Sequence, residues 1–202
     1  MLIPQVLDRE WKWLFVSVSV ATLLSLPACK VNVRDHQEGG NDKVDIETPI
    51  GGIHLNEDAN VRDTGLAVYP GARLKEKDKE GDGKSANVNI SSSFFGVKVV
   101  ALEYEADDAP DKVLAFYQDQ MKKFGHVIQC RTSKQGGDLG VHTGDSADSS
   151  REVRCEGSDS GTVVELKVGT EANQHLVSVE PAGKGSDFAL VYIQTRGKEG
   201  TI

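Results

Sequence analysis

What this 202-residue chain lacks removes several classes of function. It lacks a basic excess: 31 acidic residues against 23 basic ones give a formal charge of −8. The electrostatic footprint with which proteins grip a nucleic-acid backbone is therefore missing, and the acidic balance serves solubility instead. It lacks a CxxC pair, and its five histidines, His36, His54, His126, His142 and His175, form no HxH, HxxH or HExxH arrangement. Redox and zinc motifs are thereby disfavoured. It also lacks an apolar run of membrane-spanning length. The charge-free stretch WLFVSVSVATLLSL, from Trp13 to Leu26, reaches roughly 21 Å as a helix, against roughly 30 Å of hydrocarbon in a bilayer. A hydrophobic share of 38% is low for a compact globule and points to polar segments interrupting the core-forming part.

What is present begins at the amino terminus. The apolar run follows Arg9 and Lys12 and ends at Pro27, which is the profile of a secretory signal peptide. The next residues, Leu26-Pro27-Ala28-Cys29, resemble the lipobox of bacterial lipoproteins. That resemblance implies cleavage between Ala28 and Cys29, a diacylglycerol thioether on Cys29 and acylation of the new amino group. Pro27, Asp8 and Glu10 depart from the usual pattern. In the same family an Asp after the cysteine retains the protein at the inner membrane. Lys30 in that position implies an outer-membrane address facing the periplasm.

The expected organisation is a signal peptide over 1–28, a lipidated Cys29 with a polar tether over 29–64, one domain over 65–197 and a short tail over 198–202. Extended, the tether reaches on the order of 110 Å. Within it, Val44, Ile46 and Thr48, then Gly51-Gly52, Ile53 and Leu55, have the pattern of a small hairpin or an added edge strand. Lys75–Ser85 and Ser133–Ser150 read as polar loops.

The domain shows clear periods. A first strand is expected near Leu66–Tyr69. Val88, Ile90, Ser92 and Phe94 alternate with polar neighbours, and Val100, Leu102 and Tyr104 do so after a turn around Gly96, predicting a hairpin. Asp107 to Asp111, with Pro110, predicts the capped start of a helix running to Phe124. It carries Val113, Leu114, Phe116, Tyr117 and Met121 on one side and ends at Gly125. Further strands are expected over 126–131, 151–156, 162–169, 174–180 and 188–195. Together these predict an α+β fold, a mostly antiparallel curved sheet of about six to eight strands packed against one amphipathic helix. With a single helix, the second sheet face is expected to stay polar unless the sheet curls.

If Cys29 is lipidated, Cys130 and Cys155 are left as one possible disulfide in an oxidising compartment. Two buried free thiols are the alternative. The remaining motifs are weak. Asp78, Glu80 and Asp82, with Gly83 at the sixth position, resemble the front of a calcium loop. Asn89 stands where the bidentate Glu belongs, and a solvated acidic turn accounts for the same residues. Gly136–Gly140 has no following helix to receive an anion, and Ser158-Asp159-Ser160-Gly161 reads as a tight turn rather than a nucleophile elbow.

A second resemblance lies in Val68-Tyr69-Pro70-Gly71-Ala72 and in Tyr104 to Asp108 leading to Val113, Phe116 and Tyr117. These segments are similar to exported bacterial proteins of unknown function that share a YPGA-like strand end and a capped helix with an FY pair. The likeness covers roughly 65–131 and implies a fold but no activity. No catalytic constellation and no cofactor emerge. The expectation is a non-enzymatic binding or structural module, held to the membrane by lipid and partnered by an envelope protein or small envelope component. A small-ligand or hydrolytic domain with a pocket between sheet and helix is the rival, and weak calcium binding a third reading.

Overall fold

The computed structural model describes residues 30–34, 43–49, 51–56, 59–75, 85–133, 151–155 and 161–197. In chain order the elements are β1 (Lys30–Arg34), β2 (Lys43–Thr48), β3 (Gly51–Asn56), β4 (Arg73–Leu74), β5 (Ser85–Ser92), β6 (Phe95–Ala106), the helix α1 (Pro110–Met121), β7 (Ile128–Thr132), β8 (Val163–Thr170), β9 (Asn173–Ala182) and β10 (Gly185–Gly197). The strands make one ten-stranded sheet in the order β1-β2-β3-β5-β6-β10-β9-β8-β7, with β4 pairing beside β5 on β6. Every pairing among the described strands is antiparallel. The fold is thus α+β, an antiparallel sheet with one helix.

Period-two alternation decides which side chains the helix covers. Across the register, Tyr104, Phe188, Val179 and Val164 form one row, and Leu102, Leu190, Val177 and Leu166 the next. Val100, Tyr192, His175 and Val168 follow. These rows meet Val113, Tyr117 and Met121 of α1, each wholly buried. Fully burying a side chain of this size stabilises the fold by about 1.5–3 kcal/mol, so the helix–sheet layer is the main core. Pro110 opens α1 with its missing N–H at a position that needs no partner. The chain tightens into a 3-10 turn over Lys122–Phe124 before Gly125.

The other face differs from the polar surface that one helix suggested. Leu176, Ala189, Val191 and Ile193 form a second buried cluster there, with Val99 and Ala101 against it. Glu165 and Lys167 on the same face are buried as well.

Several boundaries depart from the sequence expectation for identifiable reasons. Leu66–Tyr69 is not a strand. A 3-10 turn over Val61–Thr64, capped by the Asn60 side chain, precedes it, and Tyr69–Ala72 closes a turn in which the Tyr69 carbonyl accepts the Ala72 N–H. Within 29–64, read as a tether, β1, β2 and β3 instead extend the sheet, because Val44 and Ile46 pair with Leu55 and Ile53 in matching alternation. Asp108 does not cap α1. The cap is Ala109, with no side-chain hydrogen bond, because the Asp108 carboxylate is taken by Tyr69 and Lys112. The β5–β6 turn falls at Ser93–Phe94 rather than around Gly96. There the Ser92 Oγ accepts the N–H groups of Phe94 and Phe95, a local bond that ends the strand early.

Residues 151–155 are not a full strand. Only Glu152 bridges, to Thr170. Cys155 nevertheless bonds Cys130 of β7, with Cα atoms 5.6 Å apart and a sequence separation of 25. The disulfide ties this segment to the sheet's last strand. Among the described residues no helix is long and apolar enough to cross a membrane.

Candidate functional site

The two ends of the strands differ in chemistry. At the end where β6 enters α1, the turn Tyr69-Pro70-Gly71-Ala72 is locked to the helix. Gly71 has φ of 80°, a left-handed value that glycine adopts without strain. The Tyr69 N–H donates to the Tyr117 hydroxyl at 3.0 Å. The Tyr69 hydroxyl donates to Asp108 at 3.0 Å, and Lys112 donates to the same carboxylate at 2.6 Å. Lys112 and Tyr69 hold the Asp108 carboxyl below the usual carboxylate range. Burial raises the Tyr117 hydroxyl well above its ordinary value, so it stays protonated. The rings of Tyr69, Phe116, Tyr117, Phe188 and Tyr104 pack together at centroid distances of 5.0–6.5 Å. The YPGA-like segment and the FY pair therefore act on each other, as core and clamp.

Carboxylates crowd this same end. Arg73 bonds both Glu105 and Asp107 at 2.9 Å, and Lys75 bonds Asp187 at 2.6 Å. Burial, then the nearby Asp187, push the Glu180 carboxyl up, while Lys75 opposes them. Each carboxylate is explained by a cationic neighbour or by partial burial. Among the described residues no three His, Cys, Asp or Glu side chains are placed to hold a metal.

His175 sits near the middle of the helix face. Its ring stacks on Phe124 at 3.7 Å between centroids and 15° between planes. Its Nδ1–H donates to the Thr64 carbonyl at 2.8 Å. Burial lowers its pKa, and Lys123 adds to the effect. This histidine is a neutral structural joint between β9, the turn after α1 and the Val61–Thr64 turn.

The opposite strand end is open. Asn89, Ile90, Gly96, Val97, Lys98, Gln194 and Arg196 line a groove of about 230 Å³. Lys98 lies directly across from Gln194, and Gly96 from Arg196. A methyl group at Gly96 would stand 3.2 Å from the Arg196 Nη2, so the glycine lets the guanidinium lie on the strand. Beyond the groove, the β5–β6 turn exposes Phe94 by 64% and Phe95 by 42%. Two adjacent exposed phenylalanines beside two cations offer an apolar tip with anion-attracting flanks.

Sequence reasoning did not find this end. The signal was present in Phe94-Phe95-Gly96, but the alternation pattern placed Phe94 inside a strand. Lys98 and Arg196 come together only through the β6–β10 register. Of the residues singled out from sequence, Cys130 and Cys155 are joined. His54 bonds Asp45 across β2 and β3 at 2.9 Å, and His126 is exposed. Cys29, the calcium candidates Asp78, Glu80 and Asp82, His36, His142, Gly136–Gly140 and Ser158–Ser160 lie outside the described residues. No protein-family model, curated protein or solved structure matches the chain.

Proposed function

We propose that the protein is a bacterial envelope lipoprotein, anchored by lipid on Cys29, whose α+β domain is a non-enzymatic binding or structural module. The observation that carries the reading is the sequence Leu26-Pro27-Ala28-Cys29 at the end of the charge-free run from Trp13 to Leu26. The cysteine inventory supports it: with Cys130 and Cys155 joined, Cys29 is the third and last cysteine of the chain. A disulfide also suits an exported protein. Acyl chains contribute about 0.8 kcal/mol per buried CH₂, and two or more together hold a protein firmly at a bilayer. Lys30 after the cysteine favours the outer membrane, facing the periplasm. The partner is an envelope protein or a small envelope component.

The test is growth with labelled palmitate. The wild-type chain is expected to carry the label in the membrane fraction, and the Cys29→Ser chain to carry none. A processed wild-type protein free in the periplasm without label overturns the reading.

The groove at Asn89–Arg196 favours a second reading, binding of a small anionic ligand. Between sheet and helix, where such a pocket was expected, Tyr117, Met121, Phe188 and Leu190 are wholly buried against one another. The strand-end groove, with Lys98 and Arg196 in its lining, is the feature that supports the small-ligand reading. Weak calcium binding at Asp78, Glu80 and Asp82 predicts a thermal shift with millimolar calcium that disappears on Asp82→Ala.

A further inference from the structure

We infer that the β5–β6 hairpin tip, Phe94 and Phe95, docks on the same bilayer that holds the Cys29 lipid, so that the domain stands on the membrane by two contacts. The inference rests on the lipoprotein reading and adds to it an orientation.

The sheet register carries the argument. Lys30, the residue after Cys29, pairs with Glu47 of β2. Glu47 pairs with Gly52 of β3, and Gly52 with Ser91 of β5. Ser91 pairs with Gly96 of β6, and Gly96 with Arg196 of β10. One unbroken row across the sheet thus contains the residue next to the lipid site and both sides of the Phe94–Phe95 turn. Three strand spacings separate Lys30 from Ser91, roughly 14 Å. A membrane that receives acyl chains at Cys29 lies within a side chain's reach of the tip.

Two further features agree. The tip is apolar and closes the β5–β6 end of the sheet, with Phe94 in the turn exposed by 64% and Phe95, which pairs with Gly197, by 42%. That suits insertion at the headgroup boundary. Charge at the tip agrees as well. Lys98 and Arg196 flank it, with Glu47 as the acid on its row, whereas the far-end carboxylates Glu105, Asp107, Asp108 and Asp187 lie paired with Arg73, Lys112 and Lys75. An anionic leaflet attracts the two cations at the tip. The span from Lys30 onward, paired into β1, also brings the domain to the membrane instead of holding it away.

The test uses the full lipidated chain, whose two tryptophans, Trp11 and Trp13, are removed with the signal peptide. Phe94→Trp, Phe95→Trp and Lys184→Trp each then carry a single tryptophan. Lys184 lies in the β9–β10 turn at the far end. Each chain is reconstituted in vesicles of phosphatidylethanolamine and phosphatidylglycerol with brominated acyl chains. Emission from Phe94→Trp or Phe95→Trp should be quenched at least about twofold more than from Lys184→Trp. Equal quenching at the two ends overturns the docking. A mass measurement on the same preparation separates the failures. Lipid present with equal quenching removes the docking alone, whereas absent lipid removes the lipoprotein reading and the docking with it.

Discussion

Tyr117 concentrates several roles in one side chain. It is wholly buried against Phe188, and its hydroxyl accepts the Tyr69 N–H that starts the Pro70-Gly71 turn. Tyr117→Phe keeps the ring and strands that N–H. The cost should be about 1–3 kcal/mol, read as a lower urea midpoint with an unchanged slope. His175 makes a different prediction. Its folded pKa lies below the ordinary 6.5 because it is buried, so between those two values the unfolded chain binds a proton that the folded chain does not. Stability in that window rises with pH. Acidification from about pH 7 to about pH 5 should therefore lower the melting temperature, and His175→Phe should flatten that part of the profile. An unchanged slope in the variant would remove His175 as its cause.

Elements were legible in the sequence where one period ran without interruption. The helix carries Val113, Tyr117 and Met121 to the core as its spacing predicts, and β8, β9 and β10 fall within a few residues of expectation. Legibility failed where a local hydrogen bond outweighed the pattern, as at Ser92. It failed again where pairing partners lay far apart in sequence, as for Lys98 beside Arg196. The apolar rear cluster was obscured for a related reason: Leu176, Ala189 and Ile193 become neighbours only through register. The disulfide was expected from the cysteine count with Cys29 set aside for lipid, and Cys155 joins Cys130 from outside any strand. Closing a loop with 25 residues of separation stabilises by roughly 3–4 kcal/mol on the chain-entropy model. The paired substitution Cys130→Ser with Cys155→Ser should lose about that much in denaturant unfolding. Reducing agent should reproduce the loss in the wild-type chain and leave the variant unchanged.

At the scale of the whole molecule, the sheet acts as a ruler between two ends. The start of α1 and the Tyr69–Asp108–Lys112 clamp occupy one end, and the β1 entry, the phenylalanine tip and the Lys98–Arg196 groove occupy the other. On the proposed reading, lipid at Cys29 fixes which end meets the membrane, and the clamp end is left facing partners in the aqueous envelope. Everything in that picture depends on Cys29. Mass spectrometry of the amino-terminal peptide from membrane-extracted protein tests it most directly. The account predicts a mature chain beginning at Cys29 with the added mass of a diacylglycerol and an amide-linked acyl group. A chain beginning elsewhere, or an unmodified Cys29, would contradict it.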